Sequence, residues 1–239
     1  MKVRLALDNA APGSYNGPMT KKYPISGAIF DMDGTLLDTM PAWATVGRDF
    51  MRARGKTPPP DVDERMLRMS LTEAAEYLRS LGVDESPAQI RAALNRFVDG
   101  FYQNDAPLKP GAKEFLGALR AAGVRMCVAT ASDRAQAEAA FSRLGVLSYF
   151  DRILTCTELS TTKAEPVIFD AARAALGTTR ETTWVFEDAR HAAGTARRAG
   201  YPVCAVFDAS EPDRAGLAAA ADVYLDSFEG AMDRFQPGE

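Results

Sequence analysis

Five short apolar runs carry the strand pattern of this chain: "SGAIFDMD" from residue 26, "VRMCVATAS" from 124, "DRILTC" from 151, "TTWVFED" from 182 and "YPVCAVFD" from 201. A weaker sixth is "DVYLD" from 222. Between the later runs, apolar residues recur at the spacing of a helix face, as in Phe115, Leu116 and Leu119 and then Phe141 and Leu144. Strands that alternate with helices must be joined by crossovers. The pattern therefore predicts an α/β fold built on a doubly wound, mostly parallel sheet.

The interval between the first two runs breaks the alternation. Residues 39 to 109 hold no strand-like run, and their apolar residues fall at helical spacing: Trp43, Val46 and Phe50; Ala74, Leu78 and Leu81; then Ile90, Ala93, Leu94, Phe97, Val98 and Phe101. "GKTPPPD" from 55 and "GVDESPA" from 82 separate them, and "DAPLKPG" from 105 leads back to the alternating pattern. The expected organisation is an α/β core formed by residues 21–38 and 107–239, with an all-helical insertion over 39–106. Residues 1–20 are turn-rich, include an alternative start at Met19, and are expected to be a dispensable extension.

Composition excludes several classes of partner. The 239 residues carry a formal charge of -4 and a pI near 5.2, with no Lys/Arg run to hold a phosphate backbone, so nucleic acid is not expected. "MKVRLALDN" is too short of apolar residues for a signal peptide, and no run approaches a membrane span. Cys127, Cys156 and Cys204 are odd in number and set within apolar segments, which suits buried reduced thiols and a cytoplasmic protein.

The chemistry concentrates at the ends of the strand-like runs. Residues i and i+2 of a strand share a side, so Asp31 and Asp33 are expected to project together where "GAIFDMD" stops, at the carboxyl edge where open parallel sheets bind ligands. Two adjacent carboxylates repel unless a cation shares them, and an oxygen-ligand set suits Mg²⁺. Gly34 permits close backbone approach, and Thr35 offers a hydroxyl to an anion. A polar turn is the ordinary explanation of one strand-end aspartate, but three further segments carry matching groups. "VATAS" presents Thr130 and Ser132, "STTKAEP" supplies Lys163 ahead of a helix, and "WVFEDA" ends in Glu187 and Asp188. Singly, these read as helix caps and a solvent-facing lysine.

Together, the four segments in this order resemble the haloacid dehalogenase superfamily, in its β-phosphoglucomutase-like branch with a helical cap, over residues about 24 to 228. The resemblance implies a Rossmann-like core and a cap inserted between the first two strands. It also implies Asp31 as nucleophile and Asp33 as general acid/base. Thr130, Ala131 and Lys163 would bind phosphate, and Asp31, Asp33, Glu187 and Asp188 would surround Mg²⁺, with Asp188 a direct ligand. The expected activity is hydrolysis of a small phosphorylated metabolite through an aspartyl-phosphate.

Asp33 supplies the acid that an oxygen leaving group needs and that family dehalogenases and phosphonate-cleaving members lack. Where the family's β-phosphoglucomutase has a cap histidine, this chain has Trp43, a possible substrate-facing residue; a phosphomutase and a non-catalytic phosphate-binding protein are the alternative readings. "KAEP" replaces the usual Lys-Pro, and Ala189 stands where the family commonly has Ser, neither losing a charge. The one histidine, His191, is read as structural or solvent-facing.

Overall fold

The computed structural model describes residues 21–66, 69 and 71–238, so the expectation about residues 1–20 lies outside the described residues. In chain order the elements begin with β1 (Tyr23–Ile25) and β2 (Gly27–Phe30). Five helices follow: α1 (Met40–Trp43), α2 (Val46–Arg52), α3 (Val62–Met66), α4 (Leu71–Ser80) and α5 (Pro87–Asn104). Alternation then sets in with α6 (Ala112–Ala121), β3 (Arg125–Thr130), α7 (Arg134–Leu144), β4 (Arg152–Thr155), α8 (Val167–Leu176) and β5 (Thr183–Glu187). It ends with α9 (Arg190–Arg198), β6 (Val203–Val206), α10 (Arg214–Ala220), β7 (Val223–Leu225) and β8 (Phe235–Pro237).

All six expected runs enter one parallel sheet in the order β4-β3-β2-β5-β6-β7. Its strands are continuously apolar because both faces are covered. Alternate residues divide between two cores: Ala28, Phe30, Val128, Phe186 and Cys204 pack with α6 and α7, while Ile29, Cys127, Ala129, Val185 and Val203 pack with α8 and α9. The three cysteines are buried and free. A second, two-stranded sheet pairs β1 with β8 in parallel and was not expected. Each strand is three residues long, too short to show an alternating pattern. Among the described residues no helix is long and apolar enough to cross a membrane.

The five helices from 40 to 104 have a core of their own, including Val46, Phe50, Met51, Leu78, Ile90 and Leu94. α5 starts at a capping box in which the Ser86 N–H donates to Gln89 Oε1 (2.9 Å) and Gln89 N–H to Ser86 Oγ (3.4 Å). Its buried face advances strictly by four, Ile90, Leu94, Val98 and Tyr102, and the last two join the main core instead. Phe97 and Phe101, expected on the buried stripe, lie on the flank; Phe97 is 48% exposed. α5 thus begins in the insertion's core and ends against α7, where Arg143 donates to the carbonyls of Tyr102 and Ala106.

The insertion's two connections are paired with each other. Asp38 N–H donates to Pro107 O (3.0 Å), Lys109 N–H donates to Leu36 O (2.9 Å), and Leu37 bridges Leu108 antiparallel. Lys109 then pins this ribbon to the loop after β6, donating to Asp208 Oδ2 (2.7 Å) and Phe207 O (2.6 Å). Burial pushes the Asp208 carboxyl up, but the Lys109 ammonium and the Ser210 N–H together hold it below the usual carboxylate range. A carboxyl lowered on folding contributes stability above its unfolded pKa of about 3.9, and loses it as pH falls through the lower folded value. Asp208→Asn should therefore cost roughly 3 kcal/mol at neutral pH and make the acid-side loss of stability shallower. Urea unfolding at neutral and acid pH measures both; an unchanged acid limb would remove the pair from the fold's support.

Candidate active site

β2 makes its last ladder bond just past its end, where the Asp31 N–H donates to Phe186 O (3.0 Å). The chain then turns instead of extending. Leu36 and Leu37 N–H both donate to Met32 O (3.0 and 2.8 Å), and Gly34 N–H donates to Leu37 O (2.9 Å). Gly34 sits at φ +83°, and a β-carbon there would overlap Asp188 Oδ2. Close approach, more than flexibility, is what requires a glycine here.

The turn separates the two aspartates that strand geometry would have kept on one side. Asp31, 8% exposed, joins Glu187 from the end of β5 and the adjoining Asp188; one oxygen of each lies within 4.8 Å of the others. Lys163, in the loop before α8, is buried beside them and donates to Asp31 Oδ1 and to Glu187 Oε1 (2.6 Å). Thr35 Oγ1 donates to Asp188 Oδ1 (2.8 Å), so its hydroxyl orients a carboxylate and is not left for an anion.

Charge is out of balance in this cluster. Burial pushes the Glu187 carboxyl up to about 7, with Lys163 opposing and the Asp31 charge adding to the rise. Burial, then the charges of Asp31 and Glu187, push Asp188 well above the carboxylate range. Lys163 is raised: burial opposes its charge, and the charges and hydrogen bonds of Asp31 and Glu187 overcome that opposition. Three buried carboxylates against one ammonium leave excess negative charge in a set made wholly of oxygen donors. That donor chemistry fits a hard divalent cation such as Mg²⁺.

The Asp33 carboxylate lies outside this cluster. Its Oδ1 accepts from Thr39 Oγ1 (2.8 Å) and Tyr102 Oη (2.6 Å), and its Oδ2 from Ser132 Oγ (2.6 Å). The physical reason is the turn after Asp31, which sends the second side chain toward the insertion. Burial and the Asp31 charge raise the Asp33 carboxyl, while the three hydroxyls pull it back.

Thr39 and Tyr102 are site residues that motif reasoning missed. Tyr102 was legible in the four-residue step from Ile90 through Leu94 and Val98, which lands on it. Thr130, 1% exposed at the end of β3, accepts the Ser132 N–H at Oγ1 (3.0 Å), which leaves its own hydrogen to donate; Ala131 follows it, exposed. Trp43 is half-buried, packs against both the main core and the insertion's core, and donates from Nε1 to Tyr102 Oη (3.3 Å). His191 is exposed on the first turn of α9. A cavity of about 570 Å³ beside the paired ribbon is lined by Asp38, Met40, Lys109, Phe207 and Asp208 among others, and by none of the acidic cluster.

Comparison with known proteins agrees with this geometry. Residues 25–200 match the family model of the haloacid dehalogenase-like hydrolases. A phosphoglycolate phosphatase of Rhodobacter capsulatus is 31% identical over 158 residues, 62% of this chain and 69% of that protein. An N-acetylmuramic acid 6-phosphate phosphatase of Pseudomonas aeruginosa is 28% identical over 163 residues, 66% of this chain and 70% of its own length. Among solved structures, CbbY from Rhodobacter sphaeroides in complex with phosphate superposes with a TM-score of 0.70 at 25% identity, covering 85% of this chain and 95% of that one. The β-phosphoglucomutase of Clostridium difficile shares the fold at a TM-score of 0.64 and 20% identity, over 86% and 92% of the two chains. The chain belongs to the haloacid dehalogenase-like hydrolases.

Proposed function

We propose that this hydrolase is a Mg²⁺-dependent phosphatase that cleaves a small phosphate monoester, a sugar phosphate or a similar metabolite, through a phosphorylated Asp31. The observation that carries the reading is the buried convergence of Asp31, Glu187 and Asp188, with Lys163 bonded to two of them, at the carboxyl edge of a parallel sheet. The sequence relatives, a phosphoglycolate phosphatase and an N-acetylmuramic acid 6-phosphate phosphatase, support phosphate-ester hydrolysis and differ in their esters.

Asp31 attacks phosphorus in line and takes the phosphoryl group, releasing the alcohol. Asp33 gives a proton to the leaving oxygen and later withdraws one from the water that hydrolyses the acyl phosphate. Lys163 and the Thr130 hydroxyl hold non-bridging oxygens, with the backbone beside Ala131 as a further donor. Asp31, Glu187 and Asp188 would hold Mg²⁺, whose positive charge would offset repulsion between nucleophile and substrate. We read residues 39–106 as a cap that excludes bulk water, hinged near the 36–38 and 107–109 ribbon on a core of 21–38 and 107–239. A separate apolar core in the insertion supports that division. The free buried cysteines and the absence of a basic surplus suit a cytoplasmic enzyme of small metabolites.

Asp31→Asn should abolish phosphate release from p-nitrophenyl phosphate while the far-UV spectrum stays native, because an amide of the same shape is a poor nucleophile. Turnover at the wild-type rate would refute the assignment. Chelator should remove activity and added Mg²⁺ restore it; activity indifferent to both would count against the acidic cluster as a metal site. Gly34→Ala should push Asp188 aside, weakening Mg²⁺ binding by about tenfold or more in calorimetry while the far-UV spectrum stays native. Unaltered binding would mean that the turn yields to the added methyl.

A further inference from the structure

We propose that Tyr102 is the positioning residue of Asp33, orienting its carboxyl for proton delivery to the leaving group. The proposal rests on the phosphatase reading above. Tyr102 is fully buried in the last turn of α5, where a phenylalanine would fill the same volume. What the tyrosine adds is a hydroxyl, which is costly to bury without a partner. Its partner is the Asp33 carboxylate at 2.6 Å, a charge-assisted bond.

The direction of that bond is set by a third residue. Trp43 Nε1 donates to Tyr102 Oη at 3.3 Å, and an indole nitrogen can only donate. The phenol oxygen therefore accepts from Trp43 and its hydrogen turns to Asp33. Asp33 in turn is held from three segments: Thr39 beside the first connection, Tyr102 ahead of the second, and Ser132 in the loop after β3. Two of the three lie on the insertion side of the paired ribbon at 36–38 and 107–109. Arg143 of α7 holds the backbone at Tyr102 and Ala106, so the tyrosine is placed by core and insertion together.

The test separates leaving groups that need a proton from those that do not. An alkoxide leaving from an alkyl phosphate must be protonated as it departs, whereas p-nitrophenolate leaves unaided. The kcat/KM values report only steps up to transfer onto Asp31, so the later use of Asp33 as a base does not enter. Tyr102→Phe should lower kcat/KM for glycerol phosphate about 10–100-fold and for p-nitrophenyl phosphate by less than about threefold. Trp43→Phe, which keeps a ring and removes the N–H, should shift the ratio in the same direction by a smaller factor. Melting temperatures of both variants report any loss of fold. An equal fall for both esters, or no fall for either, would overturn the role of Tyr102. Wild-type protein with Mg²⁺ that releases phosphate from neither ester would instead overturn the phosphatase reading, and the two failures are thereby distinguished.

Discussion

Three buried carboxylates confined within one ion's reach, with a single buried ammonium against them, set the terms for the whole molecule. Such a cluster is costly in a low-dielectric interior, and the raised carboxyls of Glu187 and Asp188 express that cost. The fold tolerates it because each group is held by a rigid neighbour. Glu187 closes β5 between β2 and β6, Thr35 fixes Asp188, and the β2–β5 ladder extends to Asp31. Stability lost there is supplied by the two apolar layers beneath, in one of which Phe30, Phe186 and Phe115 lock into a stacked and edge-on cluster.

The same turn that separates Asp31 from Asp33 divides the chemistry. One aspartate faces inward to the cluster, and the other faces the insertion and its hydroxyls. Two aspartates two residues apart thereby occupy different environments, one charge-rich and one hydroxyl-lined. The paired ribbon carries this arrangement outward. Residues 36–38 continue from the turn after Asp31 and bond to 107–109, and Lys109 ties both to the β6 loop through Asp208. The insertion therefore has a fixed base that begins three residues beyond Asp33.

Much of this was legible before any coordinates. Continuous apolar strands between helical stripes imply a sheet buried on both faces, and all six runs entered it; acids and hydroxyls at strand ends then had to gather on one edge. Asp31, Thr130, Lys163, Glu187 and Asp188 lie along it as the motif order implied. Two things were not readable. β1 and β8 pair across more than two hundred residues, and strands of three residues carry no periodic signal. The destination of the Asp33 side chain depends on a tight turn with Gly34 at positive φ, where the rule for alternating strand residues no longer applies. Phe97 and Phe101 drew attention as the large apolar residues of α5, yet the four-residue step buried Tyr102 and left Phe97 exposed.

The central claim is that phosphorus passes through Asp31 on its way to water. The stereochemical course at phosphorus tests it most directly, using an isotopically chiral thiophosphate monoester hydrolysed in labelled water. Two successive in-line displacements, first by Asp31 and then by water, give overall retention of configuration. That is the result this structure predicts. Inversion would mean that water attacks the ester directly, and would leave Asp31 as a metal ligand and no more.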